Sequence, residues 1–134
     1  MRVSLAPLAR SGADAEQIAS AARSIWLDVD AALSPIIGQR GVVALYRRSL
    51  DLTRADHSCL VTVYDAASQR DDFNGLQAAL AEQESPAAAA ANDALLQTFC
   101  GLLVTLIGTS LTERLLRSTW DRHTSGVAAR GTSS

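Results

Sequence analysis

Apolar residues recur at steps of three and four from Asp14 onward. Ile18, Ala22, Ile25, Val29, Ala32 and Ile36 fall on one helix face. Ser34-Pro35 interrupts the pattern, because proline lacks an amide donor and disfavours helix at the residue before it. The spacing therefore predicts a break there, with Ser34 capping a second helix over 35–53. In that helix Val42, Leu45, Tyr46, Ser49 and Leu52 suit a core, and Arg40, Arg47, Arg48 and Asp51 suit water. Gly38 and Gly41 weaken its first turns by ~1 kcal/mol each against alanine, which predicts close contact with a neighbouring helix. Residues 54–58 read as a connector. Residues 59–64 are strand-like in composition, but no run of similar quality is available to pair with them. A lone strand leaves its backbone unpaired, so helix is expected here too.

The acidic pair Asp71-Asp72 suits the positive end of a helix dipole and predicts a helix start, with Phe73, Leu76, Leu80 and Gln83 on its inner face. Ser85-Pro86 repeats the cap-then-proline signal. The alanines of 87–91 propagate helix, and Leu95, Leu96, Phe99, Leu102, Leu103, Leu106 and Ile107 continue it. This helix is apolar nearly all round, the mark of one enclosed by others or paired with another chain. After Gly108-Thr109, Ser110-Leu111-Thr112-Glu113 has the form of a capping box, with a last helix to about 123. That helix carries Leu111, Leu115, Leu116 and Trp120 on its apolar side. Residues 1–13 read as a flexible arm, 14–123 as one helical domain and 124–134 as a disordered Gly/Ser/Ala tail. No internal repeat is visible. The expectation is an all-α bundle of four to five helices.

Composition narrows the function. With 134 residues, 48% of them hydrophobic and 19% charged, the chain can build one core without a metal or disulfide staple. A net charge of −2 argues against a nucleic-acid binder, and 4% aromatics are too few for a base-stacking platform. All 12 basic residues are arginine, so any chemistry that needs a lysine is excluded. The N-terminal apolar residues are broken by Pro7 and ended by Arg10, too short for a signal-peptide core. The apolar stretch 94–108 contains Gln97, Thr98 and Thr105 and falls short of the ~20 residues of a membrane span. A cytoplasmic protein without a membrane partner is expected.

No catalytic constellation emerges. His57, Cys59, Cys100 and His123 are zinc-ligand types, but only His57 and Cys59 are close in sequence, without zinc-site spacing. Neither histidine has the flanking lysine and glycine of a phosphotransfer domain. No Gly-x-Ser-x-Gly elbow occurs, and Asp28 and Asp30 cannot share a helix face. The protein is expected to be no enzyme and to hold no metal or cofactor. The apolar helix before Gly108 calls for a partner, and a homodimer is the commonest way to supply one. The expected contact comprises Leu96, Leu103 and Leu106 with Arg114, Arg117 and Trp120, Trp and Arg being enriched at interfaces. The segment Leu103-Val104-Thr105-Leu106-Ile107-Gly108-Thr109-Ser110-Leu111-Thr112-Glu113-Arg114-Leu115-Leu116 resembles the helix–Gly–helix ending of small modules in prokaryotic signal-transduction proteins. That resemblance implies a module that dimerises or docks on a partner. The reading is a non-enzymatic interaction or oligomerisation module, with a small-molecule sensor built around an apolar pocket as the alternative.

Overall fold

The computed structural model describes residues 5–66 and 73–132, with backbone only for Ala6, Ala66 and 122–132. All of its regular structure is helical: α1 (Ala6–Arg10), α2 (Ala15–Thr53), α3 (Leu60–Ala66), α4 (Asn74–Ala81), α5 (Ser85–Ile107) and α6 (Thr109–Thr132). The strand-like run near Cys59 is taken into α3, as its lack of a pairing strand predicts. Asp71 and Asp72 lie outside the described residues.

α2 is two arms, 15–37 and 39–53, and the corner is not at Ser34-Pro35. It is at Gly38, where φ 82° and ψ 157° fall outside the helical range. Pro35 stays within the helix, since it forfeits a single amide bond. Ser34 donates to the Asp30 carboxylate at 3.0 Å instead of capping anything. Reversing the chain needs a positive φ, and only glycine adopts this combination readily. The second arm folds back on the first: the Trp26 and Tyr46 rings are 5.2 Å apart. A straight helix would separate them by ~30 Å at its rise of 1.5 Å per residue. Gly41 makes no close contact with another helix. A Cβ there would meet the Ile37 side chain at 3.2 Å, so it relieves crowding within the corner itself.

Gly108 repeats that corner with φ 90° and ψ 159°. It supplies the last amide donor of α5 and the first carbonyl acceptor of α6. Its N–H donates to Val104 O at 2.7 Å, and its carbonyl accepts from Thr112 N–H at 3.1 Å. Ser110 is thus the second residue of α6 rather than its cap, so the expected capping box does not form. A capping box forms instead at Asp14, whose carboxylate accepts from Gln17 N–H at 2.8 Å while the Gln17 side chain accepts from Asp14 N–H at 2.9 Å. α5 begins one residue earlier than expected, with Glu84 as its N-cap and Pro86 in its first turn.

The two corners belong to a structural repeat. The N-caps Asp14 and Glu84, and the corners Gly38 and Gly108, are each 70 positions apart. Every buried residue between Ile18 and Leu50 has a buried counterpart 70 positions later, from Ile18 with Ala88 through Trp26 with Leu96 to Leu50 with Trp120. The chain is therefore two copies of one helix–Gly–helix design, and the copies pack most extensively through α2 on α5.

An aromatic cluster fills the centre. The Trp26 ring meets Phe99 of α5 at 5.1 Å and Phe73 at 5.8 Å, and Phe73 meets Tyr46 at 5.0 Å. Phe73, just before α4, has φ 67°. This left-handed backbone costs a non-glycine residue ~1–2 kcal/mol, which burying its ring against Trp26 and Tyr46 offsets. The indole N–H of Trp26 donates to Asn92 Oδ1 of α5 at 2.9 Å within the core. Helical structure reaches into both segments expected to be loose. Leu5 is buried, and its N–H donates to the Asp93 carboxylate at 3.0 Å, so the N-terminal arm is pinned to α5. Helix α6 continues through the Gly/Ser/Ala segment to Thr132.

The corners give a direct test. Gly38→Ala and Gly108→Ala should each destabilise by ~1–3 kcal/mol in urea unfolding, from backbone strain alone, because a Cβ at either position meets no atom within 4 Å. Gly101→Ala, equally unobstructed but inside α5 without a positive φ, should stabilise by ~0.5–1 kcal/mol. Equal effects at the three positions would contradict the corners.

The caps give a second. Asp14→Ala should cost ~1 kcal/mol, because it leaves a helix-start amide unsatisfied. Ser110→Ala should change stability by less than ~0.5 kcal/mol, since Ser110 is exposed and caps nothing. Denaturant midpoints of the two variants read the difference.

Candidate functional site

The residues expected at a dimer contact divide sharply. Leu96, Leu103 and Trp120 are buried inside the chain's own core. Leu106 is 60% exposed, and Arg114 and Arg117 lie on the surface of α6. The face of α5 that carries Leu95, Phe99 and Leu103 packs chiefly on α2, with further contacts to α1, α4 and α6, while Gln97, Gly101, Thr105 and Leu106 stay exposed. Among the described residues, the large apolar side chains left in water are Ile36 (53% exposed), Leu52 (45%) and Leu106. Ile36 and Leu106 are counterparts in the repeat, each two residues before its corner glycine.

Beyond each corner the chain lines an open cleft. The first, of about 340 Å³, is formed by Ala44, Arg47, Arg48 and Asp51 of α2 with Tyr64 of α3. Ion pairs link Arg48 and Arg54 to the two oxygens of Asp51, at 2.9 and 3.1 Å. The Arg54 guanidinium lies 4.3 Å from the centre of the Tyr64 ring and that of Arg47 lies 5.2 Å from it. These surface ion pairs add little stability. Their consequence is positional: the ring and the carboxylate favour one arrangement of three long side chains. The second cleft, of about 360 Å³, is formed by Ser110, Glu113, Arg114 and Arg117 at the start of α6. Both clefts are charged and open to solvent, unlike the enclosed apolar pocket that a small-molecule sensor would use.

Sequence reading treats Arg47-Arg48 as a solvated helix face and does not connect it with Tyr64. Arginine next to arginine was the available signal. Its aromatic partner is brought in only when α3 packs back on α2.

His57 and Cys59 sit in the turn between α2 and α3. His57 N–H donates to Thr53 O at 3.0 Å, and its carbonyl accepts from Leu60 N–H at 2.9 Å. Cys59 is half-buried, and desolvation pushes its thiol pKa up, with a backbone hydrogen bond opposing the shift in part. A raised thiol pKa means less thiolate at neutral pH, the reverse of an activated nucleophile. Among the described residues no group of three or more His, Cys, Asp or Glu side chains could hold a metal ion. The side chain of His123 lies outside the described part of the structure. α5 is long and apolar enough to cross a membrane by length and composition. Here its buried side chains, including Leu95, Phe99 and Leu103, pack in the core.

No protein-family model, curated protein or solved structure matches the chain.

Alkylation checks the Cys59 environment. At pH 7 a Cys100→Ser variant should react with iodoacetamide more slowly than a free thiol does, and the rate should rise steeply only in the alkaline range. Reaction as fast as an activated thiolate would show that Cys59 is a nucleophile.

Proposed function

We propose that the protein is a non-enzymatic interaction module that works by presenting a duplicated surface to a protein partner. The observation that carries this reading is the pair Ile36 and Leu106. The described core side chains are buried within the chain, and these two large apolar side chains stand in water at equivalent places in the two repeats. Exposing one such side chain is ordinary, whereas doing so at the same place in two otherwise divergent copies points to a shared contact. The inward face of α5 packs on the other half of the same chain, and a second copy remains one of the protein partners that the exposed pair could meet. A cytoplasmic signalling role accords with the helix–Gly–helix segment around Gly108.

Photo-crosslinking tests the reading. A photoreactive residue placed at position 36 or at position 106 should trap a discrete protein adduct in the cell that makes this protein, and the same adduct from both positions. An adduct of two chains, at twice 14.1 kDa, would make that partner a second copy. Absence of any adduct from both positions would sink the interaction reading.

A further inference from the structure

We propose that the two arginine clefts are a matched pair of binding sites for acidic peptide segments of a partner protein. This deepens the interaction reading and rests on it. Arg47 and Arg117 are counterparts in the repeat, and both are exposed. The neighbouring exposed positions have diverged: Arg40 corresponds to Ser110, Ala44 to Arg114, and Arg48 to Ser118. Two equivalent positions line both clefts, 44/114 and 47/117, and arginine recurs at the second. A buried residue is held by packing, but an exposed arginine is not, so a shared ligand accounts for its recurrence. The two clefts are also alike in size, at about 340 and 360 Å³.

The chemistry of the lining specifies the ligand. A guanidinium presents a planar fork of five N–H donors that matches a carboxylate in bidentate fashion. In the first cleft Asp51 engages Arg48 and Arg54, and the Tyr64 ring lies beside Arg47 and Arg54, so the forks are held in place before any ligand arrives. In the second, Arg114 and Arg117 stand beside the Ser110 hydroxyl and the Glu113 carboxylate. Each cleft thus holds more guanidinium than carboxylate, yet holds a carboxylate as well. That mixture suits a peptide, whose acidic side chains meet the arginines and whose backbone N–H groups meet Asp51 or Glu113. A polyphosphate or an anionic phosphate surface offers those carboxylates no N–H donor, so the mixture favours the peptide. Two weak sites on one rigid domain gain strength when one partner occupies both.

The full-length protein is titrated, by fluorescence anisotropy, with a labelled peptide of alternating glutamate and leucine. A tandem form joins two such peptides through about 30 Gly/Ser residues, a root-mean-square reach of ~30 Å. The tandem should bind at least ~10-fold more tightly than the single peptide. Arg47→Glu or Arg117→Glu should reduce the tandem to single-peptide affinity, and the double variant should abolish binding. Arg10→Glu, outside both clefts, should leave it unchanged. Circular dichroism verifies that each variant is helical, and Arg→Gln replaces any that is not. Wild-type affinity in the double variant, a tandem no tighter than the single peptide, or tighter binding of inorganic tripolyphosphate would each overturn the proposal. Crosslinked adducts from positions 36 and 106 without peptide binding would remove the clefts and leave the interaction reading standing. Absence of adducts would remove that reading itself.

Discussion

Two glycine backbones decide the architecture. Gly38 and Gly108 adopt positive φ with extended ψ, a region closed to side chains of L configuration, and each reverses a long helix within a single residue. A reversal that short leaves no loop to absorb error. The arms on either side are brought into contact in a set register, and the aromatic cluster of Trp26, Tyr46, Phe73 and Phe99 can then close. Had the chain turned at Ser34-Pro35 instead, Tyr46 would enter from a different height along the first arm and the Trp26–Tyr46 contact would be lost.

The same constraint explains why the repeat hides in the sequence. What the two halves share is a set of places: an N-cap, a corner, and a series of inward positions. The inward positions accept different side chains, Ile18 against Ala88, Val29 against Phe99, Tyr46 against Leu116. Cores tolerate such exchanges when total volume and patterning are kept. Among core residues few identities survive, while the corner glycine, which has no substitute, is the same in both. Burial is the conserved quantity, and burial is not written in single letters.

The helical class and the existence of α2, α5 and α6 were legible because apolar periodicity over long segments is a strong signal, whereas α5, apolar nearly all round in composition, keeps one face in water. The corner was misplaced because proline breaks helices on average, whereas this reversal needed a positive φ that Pro35 cannot adopt. Ser110 and Glu113 had the letters of a capping box, but a cap must precede the first helical residue, and Gly108 already occupied that place. The anchoring of Leu5 was invisible for another reason, since its partner Asp93 is 88 positions away. Of the surface features, Leu106, Arg114 and Arg117 were found by sequence, and the Arg47–Tyr64 contact was not. The buried trio Leu96, Leu103 and Trp120 was rightly read as apolar contact and wrongly assigned to another chain, because the pattern of one helix does not say whose surface will cover it.

The Trp26–Asn92 hydrogen bond joins unlike positions. The counterpart of Asn92 is Ala22, and that of Trp26 is Leu96, so neither partner of this bond has an equivalent bond in the other half. An assembly of two identical chains must write each such change twice, once on either side of its axis. Joining the halves in one polypeptide lifts that obligation. One half can then supply the donor and the other the acceptor, and each half is complementary to its companion rather than to itself. Mispairing between like halves of different molecules would set the Trp26 indole N–H against Ala22, or leave the Asn92 amide facing Leu96. The asymmetry thereby labels the two halves as unlike and favours the pairing of one with the other.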